Sequence, residues 1–109
     1  YDPGIPGKDT PPPVSDFVIS CDVLEHVEPE LVDNVLSDIQ RLATKGGYLE
    51  ICLVPAHTKL KDGRNAHLTV ESAEWWLKKL DLLFVTEVKH ITWGHLAVYL
   101  RPKIKVDNA

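Results

Sequence analysis

The chain has 109 residues, enough for one small domain with a single core. Its apolar fraction of 44% and charged fraction of 26% are ordinary for a globular domain, and no run approaches the roughly 20 apolar residues of a membrane span. A formal charge of -4, with Lys and Arg scattered, argues against a nucleic-acid backbone as the main partner; the nearest basic cluster is Lys59, Lys61 and Arg64, with Asp62 among them.

The chain opens Tyr-Asp-Pro-Gly, without the basic and apolar regions of a signal peptide and without Met. A cytoplasmic location is expected, for a fragment, a processed product or a trimmed form. Residues 1–15 carry five prolines and two glycines and read as a proline-rich arm. Asp16 to Asp22 reads as a strand apolar on both faces, as in a buried parallel sheet. It runs into an acidic, polar corner, Asp22-Val-Leu-Glu25-His26. Residues 29–43 read as an amphipathic helix, with Leu31, Val32, Val35, Leu36, Ile39 and Leu42 on one face and Pro29 at its first position. Gly46-Gly47 is the expected helix stop. Tyr48–Val54 reads as a second strand in which Glu50 is a misfit, facing solvent, a buried partner or a sheet edge. Strand, helix and strand in about 40 residues make a βαβ unit with parallel strands.

Pro55–Leu68 is a polar loop of about 14 residues, longer than the usual connection. Asp62-Gly63 marks a turn in it. Thr69 is the expected N-cap of a second helix reaching about Leu80, with Val70, Ala73, Trp76, Leu77 and Leu80 as its apolar face. Leu82–Ile91 and Leu96–Leu100 read as strands. The Thr92-Trp93-Gly94 link is short enough to force an antiparallel hairpin. From Pro102 onward a polar tail is expected. Cys21 and Cys52 lie in apolar runs and read as buried free thiols of a reducing cytosol, with a disulfide between adjacent strands as the alternative.

The corner Asp16-Phe-Val-Ile-Ser-Cys-Asp-Val-Leu-Glu-His-Val resembles the fourth strand of the class I S-adenosylmethionine-dependent methyltransferases. Leu36-Ser-Asp-Ile-Gln-Arg41-Leu is similar to the next helix of that family, and Gly46-Gly47-Tyr48-Leu49-Glu50-Ile51 to the fifth strand. The Trp75-Trp76 helix and the final hairpin follow in the family's order, so the resemblance covers residues 14 to 101. It implies an α/β, partial Rossmann-like fold: a parallel β-α-β, then a helix and a C-terminal antiparallel hairpin, the family's second half. Its first strand and glycine-rich cofactor loop are absent.

The resemblance further implies S-adenosylmethionine as cofactor, with Asp22, Val23 and Leu24 beside its methionine end and Glu25 and His26 opening the next helix. Asp2 would hold the ribose, although only about 13 residues separate it from Asp16, too few for a helix and a third strand. Asp22 could instead cap the helix behind it, Glu25 could be a solvated helix residue, and His26 could bond only to backbone.

In a doubly wound sheet the Pro55–Leu68 loop overhangs the ligand crevice. His57, Asp62, Arg64 and Asn65 are its candidate acceptor-binding groups; the alternative is a turn held by Asp62 and Asn65, with Arg64 in a surface ion pair. Proton removal from an acceptor would fall to His26, His67 or His57. No close ligand pair joins His57, His67, Cys21 and Cys52, so no metal site is expected. Gly-x-Ser-x-Gly and phosphate-loop motifs are absent.

The expected function is a methyltransferase-type domain, incomplete and inactive alone. The alternative is a non-catalytic remnant acting as an oligomerisation or binding module. The methyl acceptor is a small molecule or of unknown class, and neither a nucleic acid nor a membrane is expected as partner. Without the family's first strand, the 17–21 strand would be an exposed apolar edge, to be covered by another copy, by an N-terminal segment or by the arm.

Overall fold

The computed structural model describes residues 5–7, 10 and 13–103. Asp2 and most of the proline-rich arm lie outside them, as does the tail from 104. The elements are β1 (Ser15–Cys21), α1 (Val32–Leu42), β2 (Ala43–Cys52), α2 (Ala73–Leu83), β3 (Phe84–Ile91) and β4 (His95–Pro102), with single 3-10 turns at Leu24–His26 and Pro29–Leu31. They form a four-stranded mixed sheet in the order β1-β2-β4-β3. The β1–β2 pair is parallel, and β4 is antiparallel to both its neighbours. This is the expected partial Rossmann-like α/β fold. No helix among the described residues is long and apolar enough to cross a membrane.

Both helices cover one face of the sheet. Val32, Leu36 and Ile39 of α1 and Ala73, Trp76 and Leu80 of α2 form one core with Leu49, Ile51, Leu96, Val98 and Leu100. The strand residues in this set alternate, as one-sided burial requires. On the other face stand the cross-strand neighbours Ile19, Tyr48 and Tyr99, and Cys21 beside Glu50. Neither described helix covers them, and the two tyrosine rings pack at 4.9 Å between centroids.

β1 is therefore not the doubly buried strand its composition suggests. It lies at the sheet edge, with Phe17 48% and Ile19 67% exposed. Cys21 is exposed and Cys52 half-buried, and both thiols are free.

Several boundaries differ from the sequence reading; β2 spans Ala43–Cys52 rather than Tyr48–Val54, and α2 reaches Leu83, past the expected strand start at Leu82, so that β3 begins at Phe84. The first helix starts at Val32, after a separate 3-10 turn that takes Pro29. It ends at Leu42, and Gly46-Gly47 lies inside β2. Those glycines serve strand contact: a Cβ on Gly46 would meet the Leu100 carbonyl oxygen at 2.9 Å, and one on Gly47 the Val18 carbonyl oxygen at 2.9 Å. The second helix starts later, because Ser72 accepts from the Trp75 amide and is the N-cap. Thr69 is buried instead in a long-range contact, and Val70 precedes the helix. β4 runs on to Pro102, pairing with Phe84.

Candidate functional site

The carboxyl ends of β1 and β2 define the site. β1 stops where Asp22 takes a left-handed conformation, φ 57°, and its amide donates to the Glu50 carbonyl at 2.9 Å. That conformation costs a non-glycine residue free energy, tolerated best by Asp and Asn. It turns the chain out of the sheet and leaves the Asp22 side chain exposed, 3.5 Å from His95 Nε2. Val23 is exposed beside it, while Leu24 drops into the core.

Glu50, the misfit of β2, is half-buried on the uncovered face. It accepts from the Tyr48 hydroxyl at 2.5 Å. This bond, chiefly, holds the Glu50 carboxyl below its usual range and pushes the Tyr48 phenol up to about 12. Partial desolvation and the negative charges of Glu50 and Asp22 raise the Cys21 thiol, which disfavours its thiolate.

The long loop closes over the corner. Thr69 is only 2% exposed. Its amide donates to the Glu25 carbonyl at 3.0 Å and its hydroxyl to the Val27 carbonyl at 2.7 Å. His26 Nδ1 donates to the Ala66 carbonyl at 2.9 Å. Asn65 clamps the loop from within: its side-chain oxygen accepts from the Ala56 and His67 amides, and its nitrogen donates to the Ala56 carbonyl. Asp62 accepts from the Arg64 amide and from Nε at 2.7 Å, and Arg64 reaches Glu28 at 3.6 Å. The amide bond first, then the guanidinium, holds the Asp62 carboxyl down. His57 is exposed, apart from these contacts.

Two groups of side chains converge that no sequence spacing announced. Asp22, Glu50 and His95 form one, at the surface. Glu25, Cys52 and His67 form the other, with their donor atoms all within 4.8 Å of one another. Glu25 is not a solvated helix residue: it is 1% exposed, and its Oε1 is buried without a hydrogen-bond partner. The only trace of this in the sequence was a carboxylate two residues before the apolar Val27.

Two solved structures share this architecture. The crystal structure of PH0226 protein from Pyrococcus horikoshii OT3 superposes with a TM-score of 0.61 at 15% identity, over 81% of this chain and 51% of that one. The DhpI-SAH complex superposes with a TM-score of 0.62 at 19% identity, over 88% of this chain and 51% of that one. The likeness is one of fold, a mixed α/β sheet with a parallel β1–β2 pair. This chain spans about half the length of the structures it matches. No protein-family model matches the sequence, and no curated protein matches it.

Proposed function

We propose that this chain contributes the C-terminal half of an S-adenosylmethionine-dependent methyltransfer site. The observation that carries the reading is the Asp22 corner. It sits at the carboxyl end of the parallel β1–β2 pair, where open α/β sheets bind ligands. The likeness to a complex holding SAH, the product that methyl transfer leaves behind, supports it. Asp22 and Val23 would border the methionine end of the cofactor, and the Pro55–Leu68 loop would face the acceptor. Methyl transfer from a sulfonium asks mainly for in-line positioning and a dry pocket. A proton on the acceptor would pass to His26, whose Nδ1–H bond to Ala66 leaves Nε2 free to accept it.

The uncovered β1 edge favours a partner that completes the sheet. Phe17 and Ile19 are apolar and exposed on a strand that has a neighbour on one side only among the described residues. A second copy or an N-terminal segment of the protein would meet this need, and a dimer in light scattering would select the former.

Calorimetric titration with S-adenosylhomocysteine, on wild type and Asp22→Ala, tests the function. Micromolar binding that the variant loses is the expected result for a chain or oligomer with a complete pocket. No binding by the folded chain, both alone and joined to its N-terminal half, would overturn the reading.

A further inference from the structure

We infer that Glu25, Cys52 and His67 form a site for a divalent metal ion of the zinc class. The inference stands on these side chains and is independent of the methyl-transfer reading. Burying a carboxylate without a partner is costly, and native structures rarely leave one so. Glu25 is 1% exposed with Oε1 unpartnered, and its carboxylate converges on a thiol and an imidazole. A cation satisfies all three donors at once.

The imidazole is already oriented. His67 Nδ1 lies 2.6 Å from the Val54 carbonyl, which can only accept, so Nδ1 carries the proton and Nε2 keeps its lone pair. A backbone carbonyl on the far nitrogen is the usual outer support of a metal-bound histidine. Asn65 then fixes the backbone on both sides, through the Ala56 and His67 amides. Cys52 ends β2, and its sulfur lies 3.7 Å from the same Val54 oxygen. Glu25 is held by its carbonyl, which accepts from Thr69.

Ligands on tetrahedral zinc, at about 2.0–2.3 Å from the ion, stand about 3.3–3.8 Å from one another. Donor atoms within 4.8 Å need to close by at most about 1.5 Å, within the reach of side-chain torsions. One thiolate, one imidazole and one carboxylate suit zinc rather than magnesium or calcium, which take oxygen ligands. Three protein donors leave a fourth position for water or a ligand atom. Binding releases the Cys52 proton to solvent.

The test is titration of the tag-free chain with cobalt(II), a coloured substitute for zinc, followed by displacement with zinc. One equivalent should give a sulfur-to-cobalt charge-transfer band in wild type, in Cys21→Ser and in His95→Gln. The band should vanish in Cys52→Ser, and the affinity should fall at least about tenfold in Glu25→Gln and His67→Asn. Zinc should raise the melting temperature of wild type and Cys21→Ser but not of Cys52→Ser, each compared with its own melt in chelator. A band that survives Cys52→Ser, or that is lost in Cys21→Ser or His95→Gln, overturns the assignment. So does a wild-type chain with neither band nor thermal shift, which decides the matter even if a variant fails to fold.

Discussion

Gly47→Ala tests the strand contact that holds the Asp22 corner against β2. The added Cβ would stand 2.9 Å from the Val18 carbonyl oxygen, about 0.5 Å inside the 3.4 Å at which ordinary contact begins. The obstacle is backbone, fixed by the parallel register that pairs Val18 with Gly47, so no rotamer change relieves it. Overpacking of this kind costs about 1–3 kcal/mol. Replacing glycine restricts the unfolded chain and returns about 0.4–1 kcal/mol. Set against each other at mid-range, the two leave a loss of about 1.3 kcal/mol, or roughly 5–10 °C in melting temperature for a domain of this size. Gly94→Ala is the control, since its Cβ would meet Val54 Cγ1 at 3.6 Å, an ordinary contact. It should be neutral or slightly stabilising. Urea unfolding of both variants is the assay, with an unchanged m-value confirming that stability alone has moved. Equal midpoints for Gly47→Ala, Gly94→Ala and wild type would refute the steric argument and the β1–β2 register on which it rests.

Thr69→Val keeps shape and removes the hydroxyl bond to Val27, so about 1–3 kcal/mol should be lost. Tryptic nicking after Lys59, Lys61 or Arg64 should accelerate as the loop detaches, and an unchanged nicking rate would show that the tether is not there. Tyr48→Phe should alter stability at both ends of the pH scale. Glu50, held below 4.5, contributes stability above that value that is lost as pH falls through its folded value; Tyr48, raised from 10.0 to about 12, contributes stability below 10 that is lost as pH climbs toward 12. The variant should therefore show a shallower decline on both limbs, and phenol absorbance should lose its step near 12. Identical pH profiles would contradict the Tyr48–Glu50 bond.

The element order was legible in the sequence because its cause is local. Leu36, Ile39 and Leu42 repeat at helical spacing, Leu49 and Ile51 alternate, and a three-residue link at 92–94 permits only a hairpin. The errors came where a local rule met a distant neighbour. Gly46-Gly47 carries the signature of a helix stop, yet the glycines are required by the carbonyls of Leu100 and Val18, which lie 54 and 29 residues away in the chain. Thr69 has the composition of an N-cap, yet its bonds go to Glu25 and Val27, and Ser72 caps the helix.

Strand periodicity and turn chemistry thus determined from the sequence alone that a βαβ unit is followed by a helix and a hairpin. Only the tertiary structure decided that β4 inserts between β2 and β3, that β1 is the outermost strand of the described sheet, and that Glu25, Cys52 and His67 converge. Periodicity fixes the face on which a side chain stands, whereas convergence depends on how a 14-residue loop is tied back. Two Thr69 hydrogen bonds and the Asn65 clamp tie it, and none of them has a fixed spacing in the chain.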